Sequence, residues 1–110
     1  MVQTIDTAEL ADLMGREAVD VIDVRDLSEW EGGHIAGSRN IPLETLRDDP
    51  EKFLVPGKVL VFICKKGVRS LAAAKLADRF GYERVYNLDG GMLEWLRVGY
   101  PTVTESRVAA

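Results

Sequence analysis

The stretch Val59-Leu60-Val61-Phe62-Ile63, followed by Cys64-Lys65-Lys66-Gly67-Val68-Arg69-Ser70, decides the fold. Five consecutive apolar residues, mostly β-branched or aromatic, predict a strand covered on both faces, as at the centre of a parallel sheet. Cys64 to Arg69 reads as a loop. Ser70 then opens a helix in which Ala73, Leu76, Ala77 and Phe80 form one apolar face, and Gly81 closes it. A strand, a short loop and a helix in that order place Cys64 at the carboxyl edge of the sheet. Open α/β sheets bind their ligands at that edge.

Upstream, Asp6 and Glu9 have the spacing of a capping box, and Leu10, Leu13 and Met14 predict a short amphipathic helix ending near Gly15. Val19-Asp20-Val21-Ile22-Asp23-Val24 predicts a second buried strand. Asp26 to Glu31 predicts a short helix stopped by Gly32-Gly33. His34 to Pro42 reads as a turn and a short strand, with Pro42 barring a central ladder position. Leu43 to Phe53 predicts one or two short helices interrupted at Asp49-Pro50. Downstream, Val85 to Leu88 predicts a strand, Gly90-Gly91 a turn, and Met92 to Val98 a helix ended by Gly99 and Pro101. Strands alternating with helices predict an α/β fold with a largely parallel sheet. Residues 1–101 are expected to form one domain and 102–110 a flexible tail.

The 110-residue length fits that single domain, and 46% hydrophobic with 29% charged residues is a globular balance. One cysteine, Cys64, excludes an intrachain disulfide, and one Cys with one His cannot furnish a zinc site, so no metal or other cofactor is expected. The net charge is −4, unevenly divided. Residues 1–55 carry 13 acids against 5 bases, a net of −8; residues 56–110 carry 5 acids against 9 bases, a net of +4. An acidic chain without a basic stripe argues against nucleic-acid binding. The stretch MVQTIDTAEL has no basic segment followed by an apolar one, and no apolar run reaches membrane-spanning length. Neither a signal peptide nor membrane association is expected, and the expected location is the cytoplasm, where a lone thiol stays reduced.

Three features of the loop favour a thiolate at Cys64. The following helix presents unpaired N–H groups and the positive end of its dipole. Lys65, Lys66 and Arg69 add positive charge with no acid in the loop. Gly67 permits a positive φ, so successive N–H groups can turn inward as an anion nest. Such a thiol falls from about 8.5 toward neutrality and becomes a nucleophile without a histidine partner. The plainer alternative is a small buried hydrophobe ending a strand, and the composition of the loop weighs against it.

Cys64-Lys65-Lys66-Gly67-Val68-Arg69-Ser70 resembles the Cys-x-x-Gly-x-Arg active-site loop of the rhodanese sulfurtransferases. Ile22-Asp23-Val24-Arg25 is similar to that family's Asp-Val-Arg strand. Glu29-Trp30 and the run Gly33-His34-Ile35-Ala36-Gly37-Ser38-Arg39-Asn40-Ile41-Pro42 resemble its Gly-His-Ile block, and Val85 to Gly91 with Trp95 resembles its Gly-Gly-x-x-x-Trp block. The likeness runs from about Ile5 to Pro101. It implies a five-stranded, mostly parallel sheet flanked by helices on both faces. It also implies a reaction in which Cys64 takes the outer sulfur of thiosulfate or a similar donor as a persulfide and passes it to cyanide, a thiol or a protein acceptor. Lys65, Lys66, Gly67, Val68, Arg69 and Ser70 would hold the donor and the persulfide. The three full charges predict a preference for thiosulfate over mercaptopyruvate.

Asp23 and Arg25 end a neighbouring strand and are candidates for site support, with a structural ion pair as the alternative. His34, in the Gly-His-Ile turn, is expected to serve in structural hydrogen bonding, and Trp30 and Trp95 in packing. The loop argues against phosphatase chemistry, because tyrosine phosphatases use Cys-x5-Arg and four residues separate Cys64 from Arg69 here. A second reading is a persulfide relay delivering sulfur to a partner protein with little free thiosulfate turnover. The loop and the Gly-Gly-x-x-x-Trp block also look similar to rhodanese domains fused to adenylyltransferases that load small ubiquitin-like carriers. A regulatory module without chemistry is disfavoured by the presence of Cys64.

Overall fold

The computed structural model describes residues 1–104. The strands are β1 (Val2–Ile5), β2 (Val19–Asp23), β3 (Arg39–Asn40), β4 (Val59–Ile63) and β5 (Val85–Leu88). The helices are α1 (Thr7–Arg16), α2 (Leu27–Glu31), α3 (Leu43–Asp48), α4 (Pro50–Phe53), α5 (Val68–Arg79) and α6 (Gly91–Val98). All five strands pair in parallel in the order β1-β5-β4-β2-β3. The expected five-stranded parallel α/β sheet is therefore the observed one, with the apolar Val59–Ile63 run at its centre.

Alternation along β4 divides the core. Leu60 and Phe62 pack on one face, together with Cys64 just beyond the strand, with Ile22, Leu46, Ala73, Ala74 and Ala77. Val59, Val61 and Ile63 pack on the other, with Leu10, Leu13, Val21, Met92 and Trp95. Thus α3 and α5 cover one side of the sheet, and α1 and α6 the other. Alternate side chains of a strand point to opposite faces, so a central strand of a doubly covered sheet has to be apolar throughout.

The structure adds one strand that the sequence does not predict and changes two details of the elements that it does. First, β1 carries no apolar run. Gln3 and Thr4 are exposed and only Ile5 is fully buried, because this is an edge strand seated against β5. Second, α5 starts at Val68, not Ser70. Gly67, at φ 102°, makes the entry turn, so Val68, Arg69 and Ser70 form the first helical turn and the loop shrinks to Cys64–Gly67. Third, Phe80 is off the buried face. It sits at the C-cap, past the last helical residue, and is 48% exposed, and the buried face is Ser70, Ala73, Ala74 and Ala77. At the chain's end, Val103 pairs antiparallel with His34, while residues 105–110 of the expected tail lie outside the described residues. Among the described residues no helix is long and apolar enough to cross a membrane.

Candidate active site

Cys64 is the first residue past β4, and α6 holds its backbone. The N–H groups of Met92 and Leu93 donate to the carbonyls of Cys64 and Lys65 at 2.8 and 3.0 Å. These are donors that an isolated helix would leave unpaired at its N-terminus. The approach is so close that a Cβ on Gly91 would lie 2.4 Å from the Cys64 carbonyl oxygen, which accounts for the second glycine of Gly90-Gly91. With these carbonyls turned toward α6, the chain curls around the sulfur on its other side. Gly67 N–H donates to Cys64 Sγ at 3.1 Å and Ser70 N–H at 3.3 Å, and the Ser70 hydroxyl lies 3.3 Å from it.

The sulfur thus occupies the place of an N-cap side chain. Gly67, the N-cap residue of α5, has no side chain to offer, and Sγ takes the third amide of the helix instead. Burial alone would push the Cys64 thiol up. The Ser70 hydroxyl, then the backbone N–H groups of Ser70, Gly67 and Lys66, outweigh it and hold the thiol below its ordinary value. The expected depression is present, but hydrogen bonds from neutral groups hold it, rather than the lysine charges.

The charges of the loop are arranged differently from the sequence expectation. The Arg69 guanidinium donates to both oxygens of Glu29 on α2, at 2.9 and 3.2 Å. Glu29 is held down to about 2, chiefly by this pair, against the upward pull of burial, and it also accepts the Asp26 N–H. Arg69 therefore ties α2 to the first turn of α5 and is not a free cation. Lys65 and Lys66 are exposed at the mouth, as is Val68. The opening over the sulfur is lined by Cys64, Lys65, Lys66, Val68 and Arg69 and encloses about 140 Å³. A roomier cavity of about 400 Å³ between β1 and α1, lined by residues including Arg16, Glu17 and Arg84, has no thiol in its lining.

Asp23 is fully buried and accepts from Arg25 Nε and Nη2 at 3.0 and 2.8 Å, and from the Arg25 backbone N–H at 3.1 Å. Arg25 also donates to the Gly33 carbonyl at 2.8 Å. The pair joins the end of β2 to the Gly33 turn, and no hydrogen bond links it to Sγ. His34 is buried, stacks on Trp30 with ring centroids 3.6 Å apart, and lies 2.6 Å through Nδ1 from the Trp30 carbonyl. That oxygen can only accept, so Nδ1 carries the proton. Trp30 Nε1 donates to Ser38 Oγ and Trp95 Nε1 to the Pro101 carbonyl, as befits packing residues with a satisfied polar end.

Two residues of the site were not singled out in the sequence. Asn87, in the middle of β5, accepts the Ser70 hydroxyl at 2.5 Å and donates to the Gly67 carbonyl at 3.2 Å. Its sequence signal is an amide inside an otherwise apolar strand, which demands a buried partner. Glu29 has no sequence signal of its own, and its role emerges once α2 is seen against α5.

The Rhodanese-like domain model matches residues 6–97. The uncharacterized protein YqhL of Bacillus subtilis is 40% identical over 81 residues, 74% of this chain, and the match spans 64% of that protein's length. The thiosulfate sulfurtransferase GlpE of Pseudomonas aeruginosa is 35% identical, over 89% of this chain and 87% of its own length. Among solved structures, the rhodanese-related protein of Thermoplasma volcanium superposes with a TM-score of 0.84 at 37% identity. That superposition covers 94% of this chain and 99% of that one.

Proposed function

The chain belongs to the rhodanese-like domain family, and we propose that it is a sulfurtransferase in which Cys64 carries the sulfur. The observation that carries this reading is a buried sulfur receiving the Gly67 and Ser70 amides at the head of α5, beneath a small opening flanked by Lys65 and Lys66. In the first half-reaction the Cys64 thiolate attacks the outer sulfur of thiosulfate. The S–S bond of the donor breaks, sulfite leaves with its electron pair, and Cys64 holds an anionic persulfide. In the second, cyanide or a thiolate attacks the terminal sulfur and the Cys64 thiolate departs. Negative charge rests on sulfur at every stage, and oriented amides stabilise it without reorganising. Lys65 and Lys66 draw the dianionic donor to the opening. Arg69, neutralised by Glu29, shapes the loop instead of binding the donor, so the preference for thiosulfate rests on the two lysines.

The exposed Val68 at the mouth supports a second reading, in which the acceptor is a thiol presented by another protein and free thiosulfate turns over slowly. In either case a thiol that must stay reduced suits the cytoplasm. Intact mass after incubation with thiosulfate tests the core of the proposal. Wild type is expected to gain one sulfur atom and lose it on adding cyanide, and Cys64→Ser to gain none. A wild-type protein left unmodified by thiosulfate and by other sulfane donors would overturn it.

A further inference from the structure

The partners around Ser70 assign the direction of its hydrogen bonds while Cys64 is a thiol. The Gly67 carbonyl can only accept, so the group of Asn87 facing it at 3.2 Å is the amide NH₂. The other end of that amide, Oδ1, then faces Ser70 Oγ at 2.5 Å, and an acceptor there obliges the hydroxyl to donate. A hydroxyl has one proton. With it committed to Asn87, Ser70 presents lone pairs to Cys64 Sγ at 3.3 Å. This suits a thiol, whose S–H can donate to Ser70. It does not suit a thiolate, which needs the hydroxyl to donate to it.

We propose that Asn87 is a positioning residue that holds the Ser70 hydroxyl proton away from the sulfur in the thiol state, so that Ser70 swings from Asn87 to Cys64 as the anion forms. The thiol's proton leaves to solvent base, and the Ser70 O–H rotates about its Cβ–Oγ bond. Sγ then accepts three hydrogen bonds, from Gly67 N–H, Ser70 N–H and Ser70 O–H. Asn87 Oδ1 gives up its partner in exchange. Asn87 thereby opposes ionisation, and Ser70 favours it.

The charged groups nearby are Lys65 and Lys66 on the loop, Arg69 on α5 held by Glu29 of α2, Asp26 ahead of α2, and Arg25 held by Asp23 at the end of β2. Among the described residues, none of these charged side chains hydrogen-bonds the sulfur. Of the three groups that do, two are amides that can only donate, so the hydroxyl is the one able to change direction. The inference rests on Cys64 being the working nucleophile. Its test reads the thiol directly and needs no sulfur transfer, so the two can fail separately.

The experiment is a double-mutant cycle of Asn87→Leu and Ser70→Ala. The readouts are the pH dependence of Cys64 alkylation by iodoacetamide and the ultraviolet absorbance of the thiolate. Asn87→Leu is expected to lower the Cys64 titration midpoint by about one unit, a roughly tenfold gain in thiolate below it. Ser70→Ala is expected to raise the midpoint, and in that background Asn87→Leu should lower it no further. Asn87→Ala, a smaller change, should shift it in the same direction if the leucine variant fails to fold. An unchanged or raised midpoint would show that Asn87 acts only by holding Gly67 in place and would overturn the proposal. The same downward shift without Ser70 would overturn it as well.

Discussion

Two acidic groups lie past or at the ends of neighbouring strands, and the fold treats them in opposite ways. Asp23, at the end of β2, meets a full positive charge, since Arg25 embraces both carboxylate oxygens with both groups buried. Cys64, past the end of β4, meets backbone amides and a hydroxyl, while the nearby arginine is occupied by Glu29. The difference fits the role proposed for each anion. A carboxylate that braces a turn gains from a permanent counter-ion. A sulfur that must gain and lose protons and bonds is better served by neutral dipoles, which favour the anion without locking it in place. The lesson is that formal charge in the loop is a poor guide to what holds the sulfur.

The strongest way to break this comparison is to empty the Asp23 side. Among the described residues, Asp23→Ala leaves the buried Arg25 guanidinium with only the Gly33 carbonyl as partner. Removing one member of a buried pair costs about 3–5 kcal/mol, and urea denaturation should show a loss of that size. A loss below about 1 kcal/mol would mean that Arg25 finds water or another acceptor, and that the pair does not brace the turn.

The matching disturbance on the sulfur side is Gly91→Ala. The new Cβ would meet the carbonyl oxygens of Cys64 and Lys65 at 2.4 and 2.6 Å, both of them backbone atoms that yield only if the loop moves. Overpacking of this kind costs about 1–3 kcal/mol. The larger expected effect is on transfer, because the sulfur's amide donors shift with the loop, and misplacement by about an ångström costs on the order of a hundredfold. Steady-state kinetics with thiosulfate and cyanide would show it, and a variant that turns over like wild type would show that α6 does not set the cradle.

Much of this was legible in the sequence because the apolar pattern is strong where the sheet is central. Val59–Ile63 reads as a doubly covered strand since alternation along it has to satisfy two cores, whereas Val2–Ile5 does not, since an edge strand can leave Gln3 and Thr4 in water. The place of Cys64 and its glycine turn was equally plain, being contiguous with the strand. What sequence order could not show was contact between distant elements. Glu29 reaches Arg69 across 40 positions and Asn87 reaches Ser70 across 17. Arg69 accordingly read as a free cation, and the helix start was placed two residues late because sulfur, rather than a side chain at residue 67, completes the cap.

The smallest expected effect is at the Glu29–Arg69 tie, which stands between the two extremes, charged like Asp23 but about a third exposed. Glu29 is held down to about 2 from an ordinary 4.5, chiefly by the Arg69 hydrogen bonds. A carboxylate depressed in the folded state contributes stability that is fully present above about pH 4.5 and lost as pH falls toward 2. Glu29→Gln should therefore remove part of the acid sensitivity of folding in that window, and lower stability at neutral pH by no more than about 1 kcal/mol, because water screens the pair. Urea midpoints of both proteins across the window would measure this. Equal slopes would show that the tie adds nothing to folding. Because Sγ takes its donors from Gly67 and Ser70 rather than from Arg69, the Cys64 titration should move less in Glu29→Gln than in Ser70→Ala, which separates a strut for α5 from a donor to the sulfur.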